Sequence, residues 1–148
     1  MTLTLRVITL CVAAIGPLAI SACAKGPLYS QSGIPPVDSN KGRVFFYCPE
    51  CAYITFGQNI QIDGRPAGTM AKGVFFADVS PGAHRVFCAR CYVPVDGRDY
   101  WGQYLDIDLV AGEAYYISFV TSRGGPHMVP VNATQGRQDV ANLPYIHD

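Results

Sequence analysis

The stretch from Asn59 to Val86, NIQIDGRPAGTMAKGVFFADVSPGAHRV, constrains the fold most, because it holds two tight turns and the strands they join. Ile60 and Ile62 alternate with Gln61 and Asp63, the period-two pattern of a half-buried strand. Asp63-Gly64 then supplies a residue pair that tolerates positive φ, as a two-residue hairpin turn requires. A second strand-like run, Val74 to Val79, ends at Ser80-Pro81-Gly82. There Pro81 presets φ and Gly82 accepts the left-handed position of a type II turn. Among 148 residues only 15% are charged, and 15 Gly and 11 Pro punctuate the chain, which favours a turn-rich β protein over helices. With 11 basic and 11 acidic residues the charge is balanced, giving no electrostatic reason to expect nucleic acid as a partner.

The N-terminus carries a different signal. Arg6 precedes an apolar stretch from Val7 to Ile20, followed by Ser21-Ala22-Cys23. A short basic region, a short apolar core and small residues describe a secretory signal, too short for a comfortable membrane span. The segment resembles a bacterial lipoprotein signal, with Ile20-Ser21-Ala22-Cys23 as its lipobox. That resemblance implies cleavage after residue 22, acylation of Cys23, and attachment to the membrane through the N-terminal lipid. Ala24 in the place of Asp implies sorting to the outer membrane. Cys11, inside the apolar core, would leave with the signal.

Residues 23–41 are rich in Gly, Pro and Ser without sustained periodicity, and read as a flexible tether able to hold a domain some tens of ångströms off a membrane. The folded domain is expected over 42–148. Arg43–Cys48, Asn59–Asp63, Val74–Val79, His84 to about Cys91, Gln103–Leu109, Ala114–Thr121 and Met128–Val131 read as strands. Leu105, Ile107 and Leu109 should face the core, with Asp106 and Asp108 in water. About seven short antiparallel strands at this spacing predict an all-β fold, an immunoglobulin-like β-sandwich. A helical turn or two is expected in the tail from Ala133 to Leu143.

Gly42–Tyr47, Ile62–Thr69, Asp78–His84, Ala111–Tyr116, Ser122–Gly125 and the Val131–Gly136 region resemble successive blocks of the bacterial domain of unknown function 2846 family. Many of its members are lipoproteins. The middle block is also similar to the PEGA surface-layer repeats, and that resemblance implies a prealbumin-like form of the β-sandwich. These are turn-and-strand motifs, so the resemblance implies a fold and supplies no site residues.

The cysteines permit a sharper expectation. Cys48-Pro49-Glu50-Cys51 and Cys88-Ala89-Arg90-Cys91 are two C-x-x-C pairs at the ends of expected strands. Three chemistries compete for them. In an exported domain they form disulfides, and bridges between the pairs would close loops of about 40 residues. Together they could instead make a four-thiolate zinc site. A catalytic dithiol is the third option, although neither pair opens an expected helix, where thiol pKa values are lowered. The two pairs meet at one end of the sandwich only if Pro66–Met70 is itself a strand.

Other groups carry weaker signals. His84 follows a turn, His127 sits in a Gly-Pro loop and His147 is near the terminus. Asp106 and Asp108 read as a solvated strand face. No nucleophile elbow or phosphate-cradling loop occurs. Tyr92, Tyr100, Trp101 and Tyr104 cluster around an expected Val93–Gly102 loop, either as a contact surface for an envelope protein or glycan, or as a lid on the core. The sequence therefore points to a non-enzymatic, lipid-anchored envelope protein, with a metal-binding or thiol-redox accessory role as the alternative.

Overall fold

The computed structural model describes residues 26–50, 57–96, 98–122 and 124–146. Within them a 3-10 turn at Tyr29–Gln31 precedes eight strands and a helix. The strands are β1 (Gly42–Cys48), β2 (Gln58–Ile62), β3 (Arg65–Met70), β4 (Gly73–Val79), β5 (Gly82–Val95), β6 (Arg98–Leu109), β7 (Ala114–Ser122) and β8 (Gly125–Val131). Helix α1 spans Ala133–Ala141. The strands form two four-stranded sheets, in the orders β4-β1-β7-β8 and β3-β2-β5-β6. The fold is an all-β sandwich.

Two details depart from the expected seven antiparallel strands. The short Arg65–Met70 segment is a strand, so eight are present. In addition, β1 and β7 are parallel neighbours, with Phe45 opposite Tyr116. Each strand reverses the direction of the one before it, and β1 and β7 are separated by an even number of reversals, so pairing them makes them parallel. The turns obey local chemistry: Asp63 and Gly64 have φ of 51° and 76° between β2 and β3, and Gly82 takes 116° after Pro81.

Between the sheets lies a core that includes Val44, Phe46, Ile60, Met70, Val86, Ile107, Ile117 and Phe119. Leu105 is half-buried, Ile107 and Leu109 are buried, and Asp106 and Asp108 are exposed, as their alternation requires. Every residue of β1 is buried. Its inward side chains enter the sandwich core, while Phe45 and Tyr47 point outward into a second cluster with Val74, Tyr116 and Val140.

This second cluster is closed by a third layer made from both ends of the described chain. Helix α1 is started by Asn132, whose Oδ1 accepts the N–H of Gln135 at 3.0 Å. Tyr47 donates its hydroxyl to Asp139 Oδ2 at 2.8 Å, tying the helix to β1. Burial, followed by the neighbouring Asp139 carboxylate, raises the Tyr47 phenol well above its ordinary pKa. On the other side, residues 26–37 form a strap laid along the same sheet. Tyr29 donates its N–H to the Leu143 carbonyl at 2.9 Å, and Tyr145 donates to Pro27 at 2.9 Å. The Tyr29 ring meets Phe45 edge-on, and Tyr145 stacks on Phe76. The stretch that reads as a tether is therefore docked from Gly26 onward, because its aromatic and apolar residues cover a sheet face that would otherwise be wet.

The exposed strand edges are handled individually. Val74 of β4 exchanges hydrogen bonds with the tail, donating to Pro144 and accepting from Ile146. The side-chain amide of Gln103 on β6 donates to the Met128 carbonyl at 2.8 Å and accepts the Met128 N–H at 2.5 Å, so one amide satisfies the edge of β8 and links the two sheets.

Gly136 decides how closely α1 approaches the sheet. A Cβ there would strike the ring of Tyr116. Helix propensity alone favours Ala over Gly by about 1 kcal/mol, whereas overpacking costs about 1–3 kcal/mol. Gly136→Ala is therefore expected to lower stability in urea unfolding despite its better propensity. An unchanged or raised midpoint would show that the helix is not seated on Tyr116.

Candidate functional site

The second C-x-x-C pair sits where β5 departs from regular pairing. Cys88 opposes Gln103 and Tyr92 opposes Trp101, so Ala89, Arg90 and Cys91 together face the single residue Gly102, whose φ is 99°. In a regular strand, residues three apart project to opposite faces. The bulge removes that constraint, and Cys88 and Cys91 both turn inward, fully buried. They are joined to each other by a disulfide, with Cα atoms 5.4 Å apart. The expectation of disulfides left the partners open, and here the bond closes a tight loop within one strand, worth about 2 kcal/mol in the chain-entropy picture against about 4 kcal/mol for a 40-residue loop between the pairs.

Cys48 is also disulfide-bonded. It packs in the same core cluster as Cys88 and Cys91, with its Sγ 3.3 Å from the Phe119 carbonyl oxygen. The condition for the pairs to share one end, that Arg65–Met70 be a strand, is met. Cys51 and Cys23 lie outside the described residues, as does His147. A disulfide sulfur offers no thiolate, so zinc binding at Cys48, Cys88 and Cys91 would require their reduction first. The Cys88–Cys91 bond is also shielded from solvent and lies on a strand, unlike an exchange-active dithiol at a helix N-terminus.

Beyond the bulge, β5 and β6 continue as a two-stranded ribbon past the end of the core. The expected Val93–Gly102 loop is thus a hairpin, in which Val93 pairs with Tyr100 and Val95 with Arg98. Its turn is opened by Asp96, with φ of 50°. Asp96-Gly97 repeats the signal of Asp63-Gly64, and that repetition is what sequence reasoning could have used to find the ribbon.

The aromatic residues take different roles on it. Tyr92 is half-buried and meets Trp101 edge-on at 6.0 Å. Both rings lie against the β7–β8 turn, where a Cβ on Gly125 would stand 3.2 Å from Tyr92 Cβ and a Cβ on Gly124 would strike the Tyr92 ring. Tyr92 is therefore the lid. Trp101 remains 65% exposed, Tyr104 64% and Tyr100 48%. Tyr104 stacks on Phe87 at 4.6 Å, beside the cross-strand pair of Arg85 with Asp106, which is exposed on both sides and adds little to stability.

No family model, curated protein or solved structure matches the chain. Its site must be read from its own side chains.

Three further places complete the picture. Under the strap, a cavity of about 660 Å³ is lined by Tyr29, Pro35, Arg43, Phe45, Tyr116 and Arg137, a grouping invisible in the sequence because it joins four separate segments. Arg43, 3% exposed, is fully engaged there. It donates to both carboxylate oxygens of Asp78 at 2.6 and 2.8 Å and to the Pro35 carbonyl at 2.8 Å, with its guanidinium 3.9 Å above Phe76. His127 is half-buried on β8, opposite Val120.

His84 links two turns. Its Nδ1 lies 2.6 Å from Asp63 Oδ2 and its Nε2 lies 2.7 Å from the Ser80 carbonyl oxygen, while Asp63 Oδ1 accepts the Arg85 N–H at 2.9 Å. Both ring nitrogens face acceptors, so only the doubly protonated ring satisfies both. The Asp63 carboxylate first, and the Ser80 carbonyl with it, raise the His84 pKa above its ordinary 6.5. The Arg85 N–H and then His84 hold Asp63 below its ordinary 3.8.

Two measurements test these assignments. A non-reducing tryptic digest should release residues 86–90 linked to residues 91–98, since cleavage after Arg90 separates the two half-cystines, and Cys88→Ala with Cys91→Ala should cost at least about 2 kcal/mol in urea. Linkage to Cys48 instead would overturn the assignment. For His84, a raised folded pKa means its stabilisation is full below pH 6.5 and is lost as pH rises through the folded value; Asp63 adds loss only as pH falls below its ordinary 3.8. The stability difference between the native chain and His84→Gln should therefore be greatest between these limits and shrink above pH 6.5. A difference that grows with alkaline pH would exclude the charged clasp.

Proposed function

We propose that this chain is a lipoprotein of the bacterial outer membrane, held by acyl groups on Cys23, that works by association with an envelope component and not by catalysis. The contact surface in this reading is the β5–β6 ribbon with Tyr100 and Trp101, seated on Tyr92. The observation that carries it is the solvent exposure of Tyr100 and Trp101 on a hairpin that projects beyond the core. Leaving apolar area in water forgoes about 25 cal/mol per Å², and large aromatic side chains clustered in this way mark contact sites.

The envelope address is supported by the Ile20–Cys23 lipobox resemblance, and a disulfide-bonded domain suits an oxidising compartment. The resemblance to the domain of unknown function 2846 family agrees with a lipoprotein. Association is favoured over chemistry because the prominent ionisable groups among the described residues are taken up in structural pairs: Arg43 with Asp78, His84 with Asp63, Arg85 with Asp106 and Tyr47 with Asp139.

In cells fed labelled palmitate, the native chain should acquire label and fractionate with the outer membrane. Cys23→Ser should lose both the label and the membrane fraction. Label that persists in Cys23→Ser would remove the basis of the reading.

A further inference from the structure

The strap and the ribbon leave the sandwich at the same end. Strand β1 runs toward that end, finishing at Cys48, and β4 starts there at Gly73, its register partner. The chain joins the fold beside β4. Leu28 bridges Pro144, Tyr145 donates to the Pro27 carbonyl, and Ile146 donates to the Val74 carbonyl. Strand β5 runs parallel in sense to β1, because four reversals separate them, so its continuation past Cys88 and the Asp96 turn extend from this end too. The β7–β8 turn, against which Tyr92 and Trp101 pack, is at the same end. The turns at Asp63-Gly64, Ser80–Gly82 and Val110–Glu113 occupy the opposite one.

Covalent geometry then limits how far this end can be from Cys23. Only Ala24 and Lys25 separate Cys23 from Gly26, and three residue steps span at most about 11 Å. The docked strap therefore does not hold the domain tens of ångströms from the bilayer. It keeps the Gly26 and Tyr145 corner against the headgroups. A four-stranded sheet is only about 14 Å across between its outer strands, so the ribbon on the far side of this end lies over the same patch of membrane. The four residues from Tyr92 to Val95 add a reach of about 13 Å.

We infer that the ribbon is a second membrane contact: Tyr100 and Trp101 insert at the headgroup level of the bilayer that holds the Cys23 lipid. This inference rests on the lipoprotein reading above and names the envelope component as the phospholipid surface itself. Tyr and Trp suit that position because one part of the ring system is apolar and the other carries a hydrogen-bonding group. Lys72, Arg90 and Arg98 are exposed at this end, against the exposed acids Glu50 and Asp96, so the cations there can meet phosphate groups. Two attachment points also explain why the aromatic side chains are left in water by the fold: in the anchored protein they are covered.

Trp101 is the sole tryptophan of the chain, which makes its fluorescence a direct reporter. The acylated protein, purified from membranes and verified by mass spectrometry, is placed in phosphatidylethanolamine–phosphatidylglycerol vesicles with and without brominated lipid. Trp101 emission should move to shorter wavelength, be quenched by the brominated lipid, and lose at least about threefold in acrylamide quenching relative to Cys23→Ser in buffer. In Trp101→Phe with Val110→Trp, the reporter is at the opposite end and should stay open to acrylamide and untouched by the bromines. An acylated protein that floats with the vesicles while Trp101 stays as accessible as in buffer overturns the second contact, leaving the ribbon to a protein or glycan and the lipoprotein reading intact. A mature chain without acyl groups overturns both.

Discussion

The rings of Phe45 and Tyr116 stack 5.0 Å apart on the outer face of the β4-β1-β7-β8 sheet, where a two-layer sandwich would leave them in water. Strands β1 and β4 also present Tyr47, Val74 and Phe76 on the same face. Covering this second apolar surface is the constraint the rest of the structure meets. Helix α1 supplies one half of the cover and the strap the other. Each is fixed by a polar tie to the sheet: Tyr47 to Asp139 for the helix, and Arg43 to Pro35 for the strap. Because Arg43 also holds Asp78 across the strand pair, a charge is buried with its donors used and the strap is held in the same step.

That cover has a consequence for position. A segment of Gly, Pro and Ser between a lipid anchor and a domain ordinarily acts as slack. Here residues 26–37 are docked on the sheet, so under the proposed Cys23 anchor the domain would take its position from that anchor. The β5–β6 ribbon gains meaning from the same geometry, since its exposed rings project from the end at which the chain enters. The Cys88–Cys91 disulfide closes the bulge at the ribbon's base.

Much of the sandwich was legible because its signals are local. The Ile60–Ile62 and Leu105–Leu109 alternations, the Asp63-Gly64 turn and the Pro81-Gly82 turn each depend on neighbouring residues alone. The short strand β3 was less clear, since Pro66 and Gly68 weaken its pattern, and pairing with β2 decides it. The ribbon was read as a loop because Tyr92, Tyr100 and Trp101 do not alternate with polar residues around a core they have outrun. The cysteine pairing was illegible for a stricter reason. Period two puts Cys88 and Cys91 on opposite faces, and only the bulge opposite Gly102 reverses that.

What the sequence determined by itself was the class of fold and the positions of its tight turns. These follow from backbone preferences and hydrophobic period, which act over a few residues. Tertiary structure alone decided that β1 and β7 run in parallel, that Cys88 takes Cys91, that His84 clasps Asp63 and Ser80, and that the strap lies down instead of swinging free. Each of these joins groups far apart along the chain or turns a side chain against its local period. Their energy comes from burial shared between segments, which no single segment encodes.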